Sequence, residues 1–183
     1  TSELWYQLGD TLSFGPEQGS YNTEADGVNL AGNGNIIAIN SRSYDVTSTN
    51  EYNNGAIAVY EYSDISKIWF QRGQLITGSH IELLGSTGAG VSLNDDGTIL
   101  AIASCYKNTN TGYVVLYEYN TATDKWDRFG TAESSDSSEL IQRNRFDGEA
   151  SADYFGYSVS LNSSGHRMAI SSTNASSGVL LHV

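Results

Sequence analysis

Five spacings recur unchanged along this chain, and they constrain its fold more than any other feature. Trp5, Gly9, Val28, Gly34, Ala38, Gly55 and Tyr60 are matched by Trp69, Gly73, Val91, Gly97, Ala101, Gly112 and Tyr117. The same landmarks return as Trp126, Gly130, Val159, Gly165, Ala169 and Gly178, with Val183 at the Tyr position. Trp to Gly is 4, Val to Gly 6, Gly to Ala 4, Gly to the Tyr position 5, and Tyr to the next Trp 9. Self-similarity on this scale marks a repeat architecture, in which one supersecondary unit buries its apolar surface against the next copy of itself. The units run 5–68, 69–125 and 126–183 within a single repeat domain 1–183.

Each unit reads as four short strands. In the second, Val91-Ser-Leu93 leads into an Asn94-Asp-Asp-Gly97 turn, and Thr98 to Ala103 returns as an apolar, β-branched run. Gly112 to Tyr119 follows, with Val114, Leu116 and Glu118 on one face and Val115, Tyr117 and Tyr119 on the other. Lys125 to Gly130 is the fourth strand, around Trp126. Composition agrees, with 19 Gly, 12 Tyr and a single Pro, and few residues that favour long helices. The fold class is therefore all-β. Four antiparallel strands per unit predict β-propeller-type blades, three in number. The recurring Ala38, Ala101 and Ala169 would let neighbouring blades approach closely, or serve simply as small core residues. Length varies only in the connections after the second and fourth strands, which a meander places at one end of each blade. That end, with the segments Tyr44 to Asn54 and Glu133 to Asp153, is the expected display face.

The segment Tyr154-Phe-Gly-Tyr-Ser-Val-Ser-Leu-Asn-Ser-Ser-Gly-His-Arg-Met-Ala-Ile-Ser172 resembles the FG-GAP repeat of integrin-α-like β-propellers, through Phe155, Gly156, Val159, Gly178 and Val179. The resemblance is uneven: the second unit keeps Gly88 and Val91, and the first only Val28. It implies an extracellular or cell-surface propeller used for adhesion or recognition, and the polar, acidic, Tyr-rich composition fits that setting. It names no ligand.

Propellers close with about 4 to 8 blades, and three units fall short. In blade register the sequence opens on a fourth strand and stops after a third. The expectation is completion between molecules: the N-terminal strand 4–10, with Leu4, Trp5, Tyr6 and Leu8, adds to the last strand of another copy, at Val179, Leu181 and Val183. Such a head-to-tail contact gives a ring if the rotation closes and a filament if it does not. A piece of a longer propeller, recognising a carbohydrate or protein on its loop-bearing face, is the alternative.

The net charge of −12 opposes binding to a phosphate backbone or an anionic membrane surface, since both need clustered cations. No apolar run approaches the roughly 20 residues of a spanning helix. One cysteine, Cys105, allows neither an internal disulfide nor a cysteine zinc cluster, and reads as a small buried group. His80, His166 and His182 share no metal-ligand spacing, and His166 sits beside a turn glycine. Gly85 to Gly90 opens a strand, not a phosphate-binding helix. Asp95 and Asp96 suit a hairpin better than a calcium cage, which needs alternating oxygen ligands. No catalytic residue, metal or cofactor is expected. Two glycosylation sequons, at Asn162 and Asn174, are no more than this composition yields by chance, and matter only if the protein is secreted. Expected partners are thus other copies of the chain, with glycans or surface proteins as further possibilities.

Overall fold

The computed structural model describes residues 4–14, 25–45, 54–78, 90–129, 145–174 and 179–182. The described residues are all-β, in three open antiparallel sheets. The first contains β1 (Gly27–Leu30), β2 (Ile36–Ser41), β3 (Ala56–Ser63), β4 (Ile68–Gln71) and β5 (Ile76–Thr77). The second contains β6 (Val91–Leu93), β7 (Ile99–Ser104), β8 (Tyr113–Asn120), β9 (Lys125–Arg128) and β10 (Arg145–Asp147). The third contains β11 (Ser158–Leu161), β12 (Met168–Ser171) and β13 (Val179–His182).

Each sheet starts with the same hairpin. Gly34, Gly97 and Gly165 donate to the carbonyls of Ala31, Asn94 and Asn162 three residues back, at 2.9, 3.1 and 3.0 Å. All three glycines are left-handed, with φ of 75, 68 and 75°. The turn needs that conformation, and glycine adopts it without a Cβ clash. Beyond the turn the strands alternate faces. Ala101, Ala103, Val114 and Leu116 point to the third sheet, whereas Leu100, Ile102, Tyr113 and Val115 point to the first.

In the first two sheets the outer position is shared by two strands. β4 pairs with the second half of β3 (Tyr60 opposite Gln71), and β5 pairs with its first half (Ile57 opposite Ile76). β9 and β10 divide β8 in the same way. The outer position is thus filled by two strands, joined through residues 72–75 in the first sheet and 129–144 in the second. Arg72 N–H donates to the Val59 carbonyl and Phe129 N–H to the Leu116 carbonyl at the start of each joining segment. The Trp69 and Trp126 strands are also bonded to the strand before them, so the sheets straddle the unit borders at 68/69 and 125/126.

The sheets pack face to face. One core joins Ile36, Ala38, Ile57 and Val59 of the first sheet to Leu93, Leu100, Ile102 and Val115 of the second. Another joins Ala101, Val114 and Leu116 of the second to Val159, Met168 and Ile170 of the third. Each fully buried aliphatic side chain contributes about 1.5–3 kcal/mol. Ala38 and Ala101 lie in these cores with no exposure, so the small-core and close-approach readings describe the same fact. Cys105 is buried at the end of β7.

The described ends of some variable connections lie together, but the expected display segments do not simply follow: Tyr44 and Asn54 are buried, and residues 129–144 separate β9 from β10 instead of following the outer strand. Gly78 N–H donates to the Gly55 carbonyl, and Gly148 N–H to that of Gly112. Here Asn108, Thr109 and Asn110 form a left-handed turn, with φ of 53, 56 and 65°. Such a run costs non-glycine residues about 1–2 kcal/mol each. It is held by Ala152, Tyr154 and Phe155, whose N–H groups donate to the carbonyls of Thr109, Asn110 and Thr111.

Candidate assembly interface

The Trp-x-x-x-Gly motif is a latch between consecutive units. Trp69 Nε1 donates to the Leu8 carbonyl at 2.7 Å, and Trp126 Nε1 donates to the Arg72 carbonyl at 2.9 Å. The residue after each acceptor is the glycine, and the indole lies directly on it. A methyl built at Gly9 would fall 2.8 Å from Trp69 Cδ1, and one at Gly73 2.7 Å from Trp126 Cδ1. Tyr62 and Tyr119 pack against these indoles at a tilt, with ring centroids 5.2 and 5.3 Å away. The second latch is more elaborate. The Gln74 side chain bonds both the N–H and the carbonyl of Trp126, at 2.8 Å each, as a neighbouring strand would.

Asp124 ties the same joint. Its Oδ1 accepts from Gly73 N–H at 3.1 Å and from the Tyr119 hydroxyl at 2.7 Å. The bond to Asp124 raises the Tyr119 phenol above its ordinary pKa, with desolvation and the Asp124 charge adding to it. A group raised on folding stabilises fully below its unfolded pKa, here roughly 10, and loses that contribution as pH climbs through its folded value. Followed by absorbance at 295 nm, Tyr119→Phe should remove a late-titrating phenol, and Asp124→Asn should bring that phenol back down. No change in the late part of the curve would show that the bond does not form in solution.

The sheets are further stitched at their inner strands. Leu93 N–H donates to Asn29 Oδ1 at 2.7 Å, and Leu161 N–H to Ser92 Oγ at 3.0 Å. Asn29 and Ser92 stand opposite Ala38 and Ala101, and Ser160 stands opposite Ala169 in the third sheet. Turn glycines close the contact. A methyl at Gly97 would come within 2.6 Å of Ile36, and one at Gly165 within 2.9 Å of Ile99, whereas Gly34 has nothing within 4 Å.

Among the residues expected to assemble, Leu4, Trp5 and Tyr6 are exposed, and Trp5 is fully so at 102%. Residues 4–8 are not paired as a strand, and the segment is held by Leu8 and Gly9 on Trp69. Beyond it, Leu12 and Phe14 pack against Ile39, Tyr44, Ala56 and Ala58. Val179 and Leu181 pair through their backbones with Ser171 and Ala169. Val183 lies outside the described residues, as do Gly130, Gly178, His80, residues 46–53, residues 85–89 and residues 133–144. The first two sheets fix a register that the motif spacing alone did not. The Trp strand lies opposite 60–63 and 117–120, whereas Ala56 and Tyr113, counterparts of Val179, and Val115, counterpart of Leu181, lie opposite β5 and β10.

Asn162 and Asn174 are both exposed. Asn162 already has a task, because its Oδ1 accepts from Arg167 N–H at 2.8 Å, as Asn94 Oδ1 accepts from Ile99 N–H at the equivalent place. His166 is an exposed turn residue. Asp96 accepts from the Thr98 hydroxyl and N–H, which lowers its pKa and makes it a hairpin residue. Phe155 is buried against β8, and Gly156 lies where a methyl would be 3.0 Å from Ala103 Cβ.

No family model matches the chain, and no curated protein matches it. Among solved structures it is similar to hydrazine synthase of Kuenenia stuttgartiensis, at 11% identity and a TM-score of 0.34. The match covers 85% of this chain and spans 57% of that one. A likeness of that size carries no argument about fold family or function.

Proposed function

We propose that this chain is a non-enzymatic, extracellular structural or adhesive protein built of propeller-type blades, assembling head to tail with copies of itself by strand complementation. The observation that carries the reading is the repeated latch, closed at Trp69 and Trp126 and open at Trp5. Trp69 and Trp126 rest on the carbonyl and glycine of the preceding unit, while the Trp5 indole is fully exposed. In a head-to-tail contact, residues 4–10 supply the outer strand of the third sheet of another copy. The Trp5 indole N–H then donates to the Phe129 carbonyl of that copy, the position equivalent to Leu8 and Arg72. Strand addition of this kind draws its affinity from main-chain bonds and its specificity from the side chains placed between them.

Electron microscopy and sedimentation of the full-length chain test this. Regular fibres or rings should form without added ligand, and Trp5→Ala should abolish them while leaving the fold intact. Isolated particles at every concentration, or assembly unaffected by Trp5→Ala, would overturn the strand-exchange reading. Particles that instead bind a carbohydrate or protein ligand would favour a recognition module.

A further inference from the structure

We infer that the exposed face of the first sheet, around Val28, Leu30 and Gly34, is a second half of the same junction and receives the third sheet of another copy. This deepens the self-assembly reading and rests on it, but through stacked sheet faces and not through the exchanged strand. The occupant follows from continuity with interfaces already inside the molecule. Val28 and Leu30 are 59% and 54% exposed, yet their equivalents Val91 and Leu93 are 3% and 6% exposed, covered by the first sheet. Val159 is similarly buried against the second sheet. Gly34 is open where Gly97 and Gly165 are each covered by an isoleucine.

The complementary face lies on the third sheet. Ser160 stands opposite Ala169, as Asn29 and Ser92 stand opposite Ala38 and Ala101. Ser160 is exposed and Ala169 partly exposed, whereas Ser92, Ala38 and Ala101 are buried by the next sheet. In the junction, Leu30 N–H donates to Ser160 Oγ of the other copy, repeating the bonds made by Leu93 and Leu161. One position breaks the pattern. Arg167 stands where Ile36 and Ile99 cover the turn glycines, and it is exposed. Its aliphatic stem would lie over Gly34 with the guanidinium left in water. The junction is therefore weaker than the internal interfaces, which suits a contact made between separate molecules.

Sedimentation equilibrium on the full chain, with Leu30→Asp, Arg167→Ile and Trp5→Ala side by side, decides the matter. Both substituted sites on the two faces are exposed, so the isolated fold should tolerate them. Leu30→Asp should weaken association at least roughly tenfold, by forcing a charge into an apolar contact, and Arg167→Ile should tighten it by restoring the internal pairing. Association that responds to Trp5→Ala but to neither face variant would overturn the stacked-face inference and leave strand exchange standing. Response to both face variants but not to Trp5→Ala would support the stacked face and overturn strand exchange. A wild-type chain that stays monomeric at every concentration would overturn both, and would point to a preceding repeat of a longer chain as the occupant.

Discussion

Trp126→Ala should cost about 3–5 kcal/mol in urea unfolding, as expected for truncating a large buried aromatic side chain, while Trp69→Ala costs less and Trp5→Ala almost nothing. The three tryptophans share one motif and differ only in what lies on them. Trp126 is 2% exposed and is held by the Arg72 carbonyl, Gly73, both arms of Gln74 and the Tyr119 ring. Trp69 is half-buried and keeps the carbonyl, the glycine and a tyrosine, but Asp10 replaces Gln74. Trp5 is fully exposed. Trp126→Phe separates packing from the latch bond, because it retains a ring and loses the indole N–H. It should cost about 1 kcal/mol from the lost bond, plus the smaller ring's packing deficit. Equal losses at all three tryptophans would mean that the latch is not what distinguishes them.

Much of this was legible in the sequence because the repeat samples one structure three times. The hairpin at Asn94 to Gly97 and the alternation along Val114 to Tyr119 follow from turn chemistry and period-two patterning, and both stand in the structure. What the letters cannot express is which copy of a residue has a neighbour. Val28 and Val91 are the same residue in the same motif, yet one faces solvent and the other a second sheet. The sharing of the outer position by two strands was hidden for another reason. β5 is only two residues long, Ile76–Thr77, and β10 follows a long polar insertion, so neither carries a periodic signal of its own. The stitching by Asn29 and Ser92 was hidden because unlike side chains fill one role, each offering an oxygen to a leucine N–H. The Trp-x-x-x-Gly spacing was visible, but spacing alone does not say that the glycine belongs to the tryptophan of the next unit.

Gly97→Ala should destabilise the chain by clearly more than Gly34→Ala, and the difference measures sheet stacking alone. The two glycines occupy the same turn with nearly the same backbone, at φ of 68 and 75°. A Cβ in the left-handed region costs about 1–2 kcal/mol at either position. At Gly34 that is the whole effect, since the methyl enters open space. At Gly97 the methyl also meets Cδ1, Cγ2 and Cβ of Ile36 at 2.6, 2.8 and 2.9 Å. Ile36 is β-branched and sits in the core between the first two sheets, so it has little room to rotate away. Overpacking of this kind adds about 1–3 kcal/mol. Ile36→Val in the Gly97→Ala background removes the far methyl and should recover part of the loss, while leaving Gly34→Ala unchanged. If alanine at 97 and at 34 cost the same in urea unfolding, the two sheets do not stack through this contact, and the stacked-face inference would lose its internal template.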